Sequence, residues 1–238
     1  MTGGTPAHYG HANTCTGGGN MSRVRNLAAV VVAIGTLGLV AGSAPADAAA
    51  ATSPLLTDAD LPDVYTDVAD PAFTSTQSPR YPTIDAACVI NPSVPFSGLV
   101  PDTAFQSFFT DRTGTTGGAE TVFTFSDATA AKGLYGFFAK AYAAGTKCST
   151  VKQTIPASAS SPARTVDLGK FKTLAVPKVG DERTAVVVDP AVPGNQSRIL
   201  VFRDGTSVVL LNLRDDDQSK RVFDKLATTA QKRARAAT

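Results

Sequence analysis

The stretch RILVFRDGTSVVLLNL, Arg198–Leu213, decides how this chain folds. Two runs of β-branched and large apolar residues, Ser197–Phe202 and Thr206–Leu213, flank Arg203-Asp204-Gly205. Asp-Gly between two such runs is a strong short-range hairpin signal. Upstream, Arg183–Val188 and Thr165–Val176 supply further strands, joined by turns rich in Pro, Gly and Asp. Further still, Ala104–Thr110 and Glu120–Ser126 read as a hairpin around the flexible TGTTGGA of Thr113–Ala119. That Gly-rich tip lacks the Lys-Ser/Thr of a phosphate-binding loop.

Two helices complete the pattern. In ATAAKGLYGFFAKAYAA, capped by Ser126 or Asp127, Ala131, Leu134, Phe138, Ala141 and Tyr142 recur at helical spacing. Gly145 is the natural C-cap, and Cys148 follows. A final helix, opened by Asp215–Asp217, carries Val222, Phe223, Leu226, Ala227 and Ala230 on one stripe. The expected class is α+β: an antiparallel sheet with two long amphipathic helices packed on one face.

The first fifty residues read as an address. Residues 1–20 lack an apolar period and suggest an over-extended start, with Met21 the better initiator. From 21 to 48 come Arg23 and Arg25, an uncharged apolar run from Leu27 to Val40, and small residues with A-x-A signals. This is secretory signal-peptide layout, with cleavage expected between Ala48 and Ala49, and after Ala50 as the alternative. The competing reading, a retained anchor, needs about 20 apolar residues, more than Leu27–Gly42 provides. Cys15 stands on the wrong side of the run for a lipoprotein anchor.

Residues 49–104 are broken by Pro every few positions and read as the loop-rich start of the mature domain, with one short helix at Thr57–Leu61. Residues 105–235 form its core; all 12 Phe lie beyond residue 70.

The whole chain carries 22 Lys+Arg against 20 Asp+Glu, and 43% of it is hydrophobic. Such a charge balance offers no basic excess for a phosphate backbone, so nucleic acid is not an expected partner. His8 and His11 are the two His, and both precede the cleavage point. The exported chain thus has no Ser–His–Asp, Cys–His or His-ligated zinc chemistry. We expect no catalytic residues, no metal site and no cofactor.

Cys88 and Cys148, 60 residues apart, are expected to pair in an oxidising compartment. Asp215-Asp216-Asp217 suits a helix start better than calcium, since no Gly or distal Glu completes a loop. Asp58, Asp60, Asp63, Asp67 and Asp70 read as a solvated helix start and loop. Lys232, Arg233 and Arg235 complement a helix C-terminus, with contact to anionic wall polymer or lipid as the functional alternative.

The order LLTDADLP at 55–62, Cys88 in DAACV, the strand–helix unit at 120–148 closed by Cys148, VGDERTAVVV at 179–188 and RILVFRDGTSVVLLNL resembles one family. It is the PknH-like extracellular sensor domain of mycobacterial serine/threonine kinases, also found in exported proteins and lipoproteins of actinobacteria. The resemblance spans about residues 55–235. It implies a sensing or ligand-binding domain with a cleft beside a twisted sheet and no catalytic residues. Members often carry two disulfides and a Trp before the helix-closing Cys; this chain has one Cys pair in that region and no Trp. The leading expectation is a secreted, non-enzymatic domain binding a small molecule, a cell-wall fragment or an envelope protein. The alternatives are an extracytoplasmic hydrolase using Asp carboxylates, which needs two acids facing across a groove, and a structural envelope protein.

Overall fold

The computed structural model describes residues 53–63, 65–67, 72–73, 80–95, 100–111, 117–155, 157, 162–190, 196–215 and 220–237. The signal segment, Ala48, Ala49, Ala50, Asp70, the tip residues 113–116, Asp216 and Asp217 lie outside them.

The elements in chain order are a 3-10 turn (Asp58–Asp60), β1 (Tyr65–Asp67), β2 (Ala72–Phe73), β3 (Arg80–Ile84), β4 (Val89–Pro95), β5 (Thr103–Asp111), β6 (Gly117–Thr124), α1 (Ala128–Gly145), β7 (Val151–Ile155), β8 (Arg164–Thr173), β9 (Glu182–Pro190), β10 (Gln196–Asp204), β11 (Ser207–Asp215) and α2 (Lys220–Ala236). They build one 11-stranded sheet in the order β1-β5-β6-β11-β10-β9-β8-β7-β4-β3, with β2 paired to β5. The sheet is mixed: β4 and β7 run parallel through Val89↔Lys152 and Ile90↔Gln153.

The two helices do not share a face, which corrects the expected architecture. Ala131, Leu134, Phe138 and Tyr142 of α1 pack with Ile199, Val201, Val208 and Leu210. Phe223, Leu226, Ala227 and Ala230 of α2 pack with Leu200, Phe202, Val209 and Leu211. These are alternate residues of the same two strands, so α1 and α2 cover opposite sides. The reason stands in the sequence of β10 and β11. Their runs are apolar at consecutive positions rather than every second one, and a strand of that kind needs cover on both faces.

The Pro-rich early segment also differs from its reading, because it supplies β1–β4. Pro82 sits where the β3–β4 register shifts, and β3 is an edge strand. Pro92 and Pro95 lie beyond the two residues at which β4 joins β7. Edges and irregular points are where a sheet tolerates a missing N–H. Likewise, Val151–Ile155 is a strand, although QTIPASASSPA from Gln153 reads in sequence as an exposed Ser/Ala/Pro-rich loop.

The 203–207 turn is shifted by one residue. Asp204 pairs with Ser207, leaving Gly205-Thr206 as the two-residue loop. Gly205 takes φ +58°, which fits the hairpin turn with glycine first. Asp127 caps α1, accepting from the Thr129 N–H at 2.9 Å. Gly145 is its last residue rather than its cap, buried between Phe171 and Ile84, and Thr146 closes the helix.

Candidate functional site

Cys88 and Cys148 are bonded, with Cα atoms 5.9 Å apart. The bond joins the first turn after α1 to the residue that opens β4. Asp85 shapes that entry by accepting the N–H groups of Ala87 and Val89, both at 2.9 Å. Just beyond it, Lys152 N–H donates to the Cys88 carbonyl at 2.8 Å. The disulfide therefore fixes the β3–β4 hairpin against α1 where the parallel pairing begins.

The VGDE turn locks the central hairpin from its other side. Gly180 has φ +62°, and a Cβ there would stand 2.3 Å from the Arg203 carbonyl oxygen. The close approach lets Asp181 N–H donate to that carbonyl at 2.8 Å. Asp181 Oδ2 accepts from Gly205 N–H at 3.0 Å and lies 2.9 Å from Arg203 Nη1. Arg203 Nε donates to Glu182 at 2.7 Å.

On the α1 side of the sheet, a polar band crosses four strands. Gln106 of β5 stands opposite Thr121 of β6, and its Nε2 donates to Thr121 Oγ1 at 3.3 Å. Thr121 is opposite Leu210 of β11, and Ile199 of β10 is opposite Asn212. Asn212 is thus diagonal to Thr121 on one flank and to Ser197 on the other, a spacing of roughly 7–8 Å. Gln106, Thr121 and Ser197 are only 6%, 4% and 6% exposed. The buried Oδ1 of Asn212 has no hydrogen-bond partner among the described residues. Gln153 Oε1 of β7 and Tyr142 Oη of α1 are in the same condition on the same side. Burial alone pushes the Tyr142 hydroxyl well above its ordinary range. Buried polar atoms are normally paired, so a face with three unpaired ones is suited to a polar occupant.

The opposite side holds a different arrangement. Glu120 of β6 lies between Ser107 of β5 and Leu211 of β11, fully buried. Its Oε2 accepts the N–H of Leu56 at 2.6 Å, and its Oε1 has no partner among the described residues. Burial, offset in part by the Leu56 N–H, pushes its carboxyl up to about 8. Asp60 is not the solvated acid that its sequence run suggested. It accepts from Thr57 N–H at 2.9 Å and meets Arg233 Nη2 at 2.7 Å. Burial opposes the charge on Asp60, but the Thr57 bonds and Arg233 outweigh it and hold the carboxyl below its ordinary range. Arg233 and Arg235 are engaged with Asp60 and Asp204 rather than only with the helix end.

The residues singled out in sequence are thus partly brought together. The Cys pair meets, and so do the VGD turn and the hairpin. The two Glu of the chain, Glu120 and Glu182, lie apart, on β6 and β9, separated by β11 and β10, on opposite faces. Among the described residues, no three His, Cys, Asp or Glu side chains stand together as a metal set. Sequence reading missed Glu120 as a buried group. Its one signal is parity, since it shares a strand face with Val122.

No family model matches the chain. No curated protein matches it either. Among solved structures, the chain is similar to the extracellular domain of PknH from Mycobacterium tuberculosis. The TM-score is 0.52 at 13% identity, over 77% of this chain and 92% of that one. The likeness is one of fold: this chain's sheet and helices are arranged similarly to those of that extracellular domain. No helix among the described residues is long and apolar enough to cross a membrane.

Proposed function

We propose that this chain is an exported, non-enzymatic, sensor-like domain that binds a small uncharged polar ligand on the α1 side of its sheet. The ligand class that suits the site is a fragment of cell-wall glycan, rich in hydroxyl and acetamide groups. One observation carries the reading: the band Gln106, Thr121, Asn212 and Ser197 contains no charge, three of its four residues are buried, and the buried Oδ1 of the half-buried Asn212 has no hydrogen-bond partner among the described residues. A buried acceptor without a donor costs about 1–3 kcal/mol. A ligand hydroxyl or amide N–H supplies the donor. Amide and hydroxyl side chains both give and take hydrogen bonds, as sugars do. Export is supported by the signal-type leader, the bonded Cys pair and the extracellular neighbour.

The test is calorimetric titration of residues 49–238 with tri-N-acetylchitotriose. Binding that falls at least tenfold in Asn212→Leu supports the proposal. No heat of binding to the wild type, or equal binding by the variant, rejects the site.

A further inference from the structure

We propose that Ser53–Leu61 is a pH-sensitive strap, latched to the sheet by the neutral carboxyl group of Glu120 and released when that group ionises. The strap crosses the α2 side of the sheet. Leu55, Leu56 and Leu61 are buried in the same core as Phe223, Leu226 and Leu211. A backbone group of the strap is tied to the floor of that core. This is the Leu56 N–H, which donates 2.6 Å to Glu120 across 64 residues of sequence.

That floor tolerates an acid and not its anion. Oε2 is satisfied by Leu56, but Oε1 is buried without a partner among the described residues. A protonated carboxyl with one unpaired oxygen costs a hydrogen bond. A carboxylate in the same place is a buried charge with half its acceptors empty, which costs far more. Water must then reach Oε1, and the strap lies in the way.

Among the described residues, two charged groups face Glu120. Asp60, from the 3-10 turn, disfavours the anion; Arg233, from α2, favours it. Its neighbours in register on the sheet, Ser107 and Leu211, carry no charge. Burial outweighs Arg233, so the carboxyl stays neutral up to about 8. In the open strap Glu120 meets water and takes its ordinary value, near 4.5. The closed-state value is the raised one, so closure is fully favoured below the ordinary value. It weakens as pH rises toward the closed-state value, by about tenfold per pH unit. Asp60 is ionised throughout that window and adds no slope to it.

Hydrogen exchange of strap amides between pH 5 and 8, corrected for intrinsic rates, tests this in the protein spanning 49–238. The opening constant of the strap should rise by roughly a hundredfold or more, while amides of β10 and β11 keep their protection. In Glu120→Gln the slope should vanish, because the amide still accepts from Leu56 and does not titrate. If that variant fails to fold, the wild type still decides. Glu120 and Glu182 are the only Glu in the chain, so two carboxyl carbon signals report their titration. Glu120 should remain neutral past pH 7. A strap whose exchange is flat with pH overturns the proposal. So does an unchanged slope in Glu120→Gln, simultaneous loss of sheet protection, or titration of Glu120 near 4.5.

Discussion

Arg233, near the end of α2, reaches back 173 residues to Asp60, its Nη2 2.7 Å from Oδ2 and its Nε 2.9 Å from the same oxygen. The same guanidinium donates to Thr57 Oγ1 at 3.0 Å. One cation thus gathers the start of the described chain and its end over the same core, and Leu55, Leu56 and Phe223 are packed beneath.

Arg233→Met should cost about 1.5–3 kcal/mol of unfolding free energy, the range for hydrogen bonds to charged groups. The pair has a defined acid limit. The folded-state value of Asp60 is depressed, so its contribution is present above the ordinary carboxylate range. It disappears as pH falls through the folded value. Urea unfolding at pH 6 and pH 3 measures this, and the variant should differ from wild type less at the lower pH.

Removing the disulfide with Cys88→Ser and Cys148→Ser together should cost about 4 kcal/mol, the chain-entropy figure for a loop of this length. The β3–β4 hairpin should lose exchange protection before β10 and β11 do. Equal protection across the sheet would mean that the bond constrains no single edge.

Gly180→Ala should destabilise by more than the roughly 1 kcal/mol of a left-handed backbone, since its Cβ would meet the Arg203 carbonyl. Gly136→Ala is the control: nothing lies within 4 Å of a Cβ there, and the helix should gain up to about 1 kcal/mol. Thermal unfolding of the two variants should move in opposite directions.

Both helices cover the sheet, so neither is dispensable. Phe138→Ala on α1 and Phe223→Ala on α2 should each cost about 3–5 kcal/mol. Their effects should add, because they sit in separate cores on opposite faces.

Much of this fold was legible in residue pattern. The β5–β6 pair, the stripes of both helices, the central hairpin and the Cys pair follow from local chemistry at those positions. The side taken by α2 did not, although SRILVF and SVVLL carry the clue: a strand apolar at every position is covered twice. Strands β1–β4 were hidden by Pro82, Pro92 and Pro95, which are acceptable only because of where β3 and β4 pair. The polar band was invisible for another reason. Gln106, Thr121, Asn212 and Ser197 become neighbours through the register of four strands, and no spacing along the chain encodes that. Glu120 looked like an ordinary strand acid until Leu55 and Leu56 were seen to cover it.

The most direct test of ligand binding at the polar band is a two-dimensional NMR titration of the side-chain amides with tri-N-acetylchitotriose. The account predicts that the Asn212 and Gln106 amide signals move first and saturate, while signals from the α2 side stay in place. Asn212→Leu should abolish those shifts without lowering the unfolding temperature, because it removes an unpaired polar atom. Saturable shifts confined to the α2 side, or none anywhere at millimolar ligand, would contradict it.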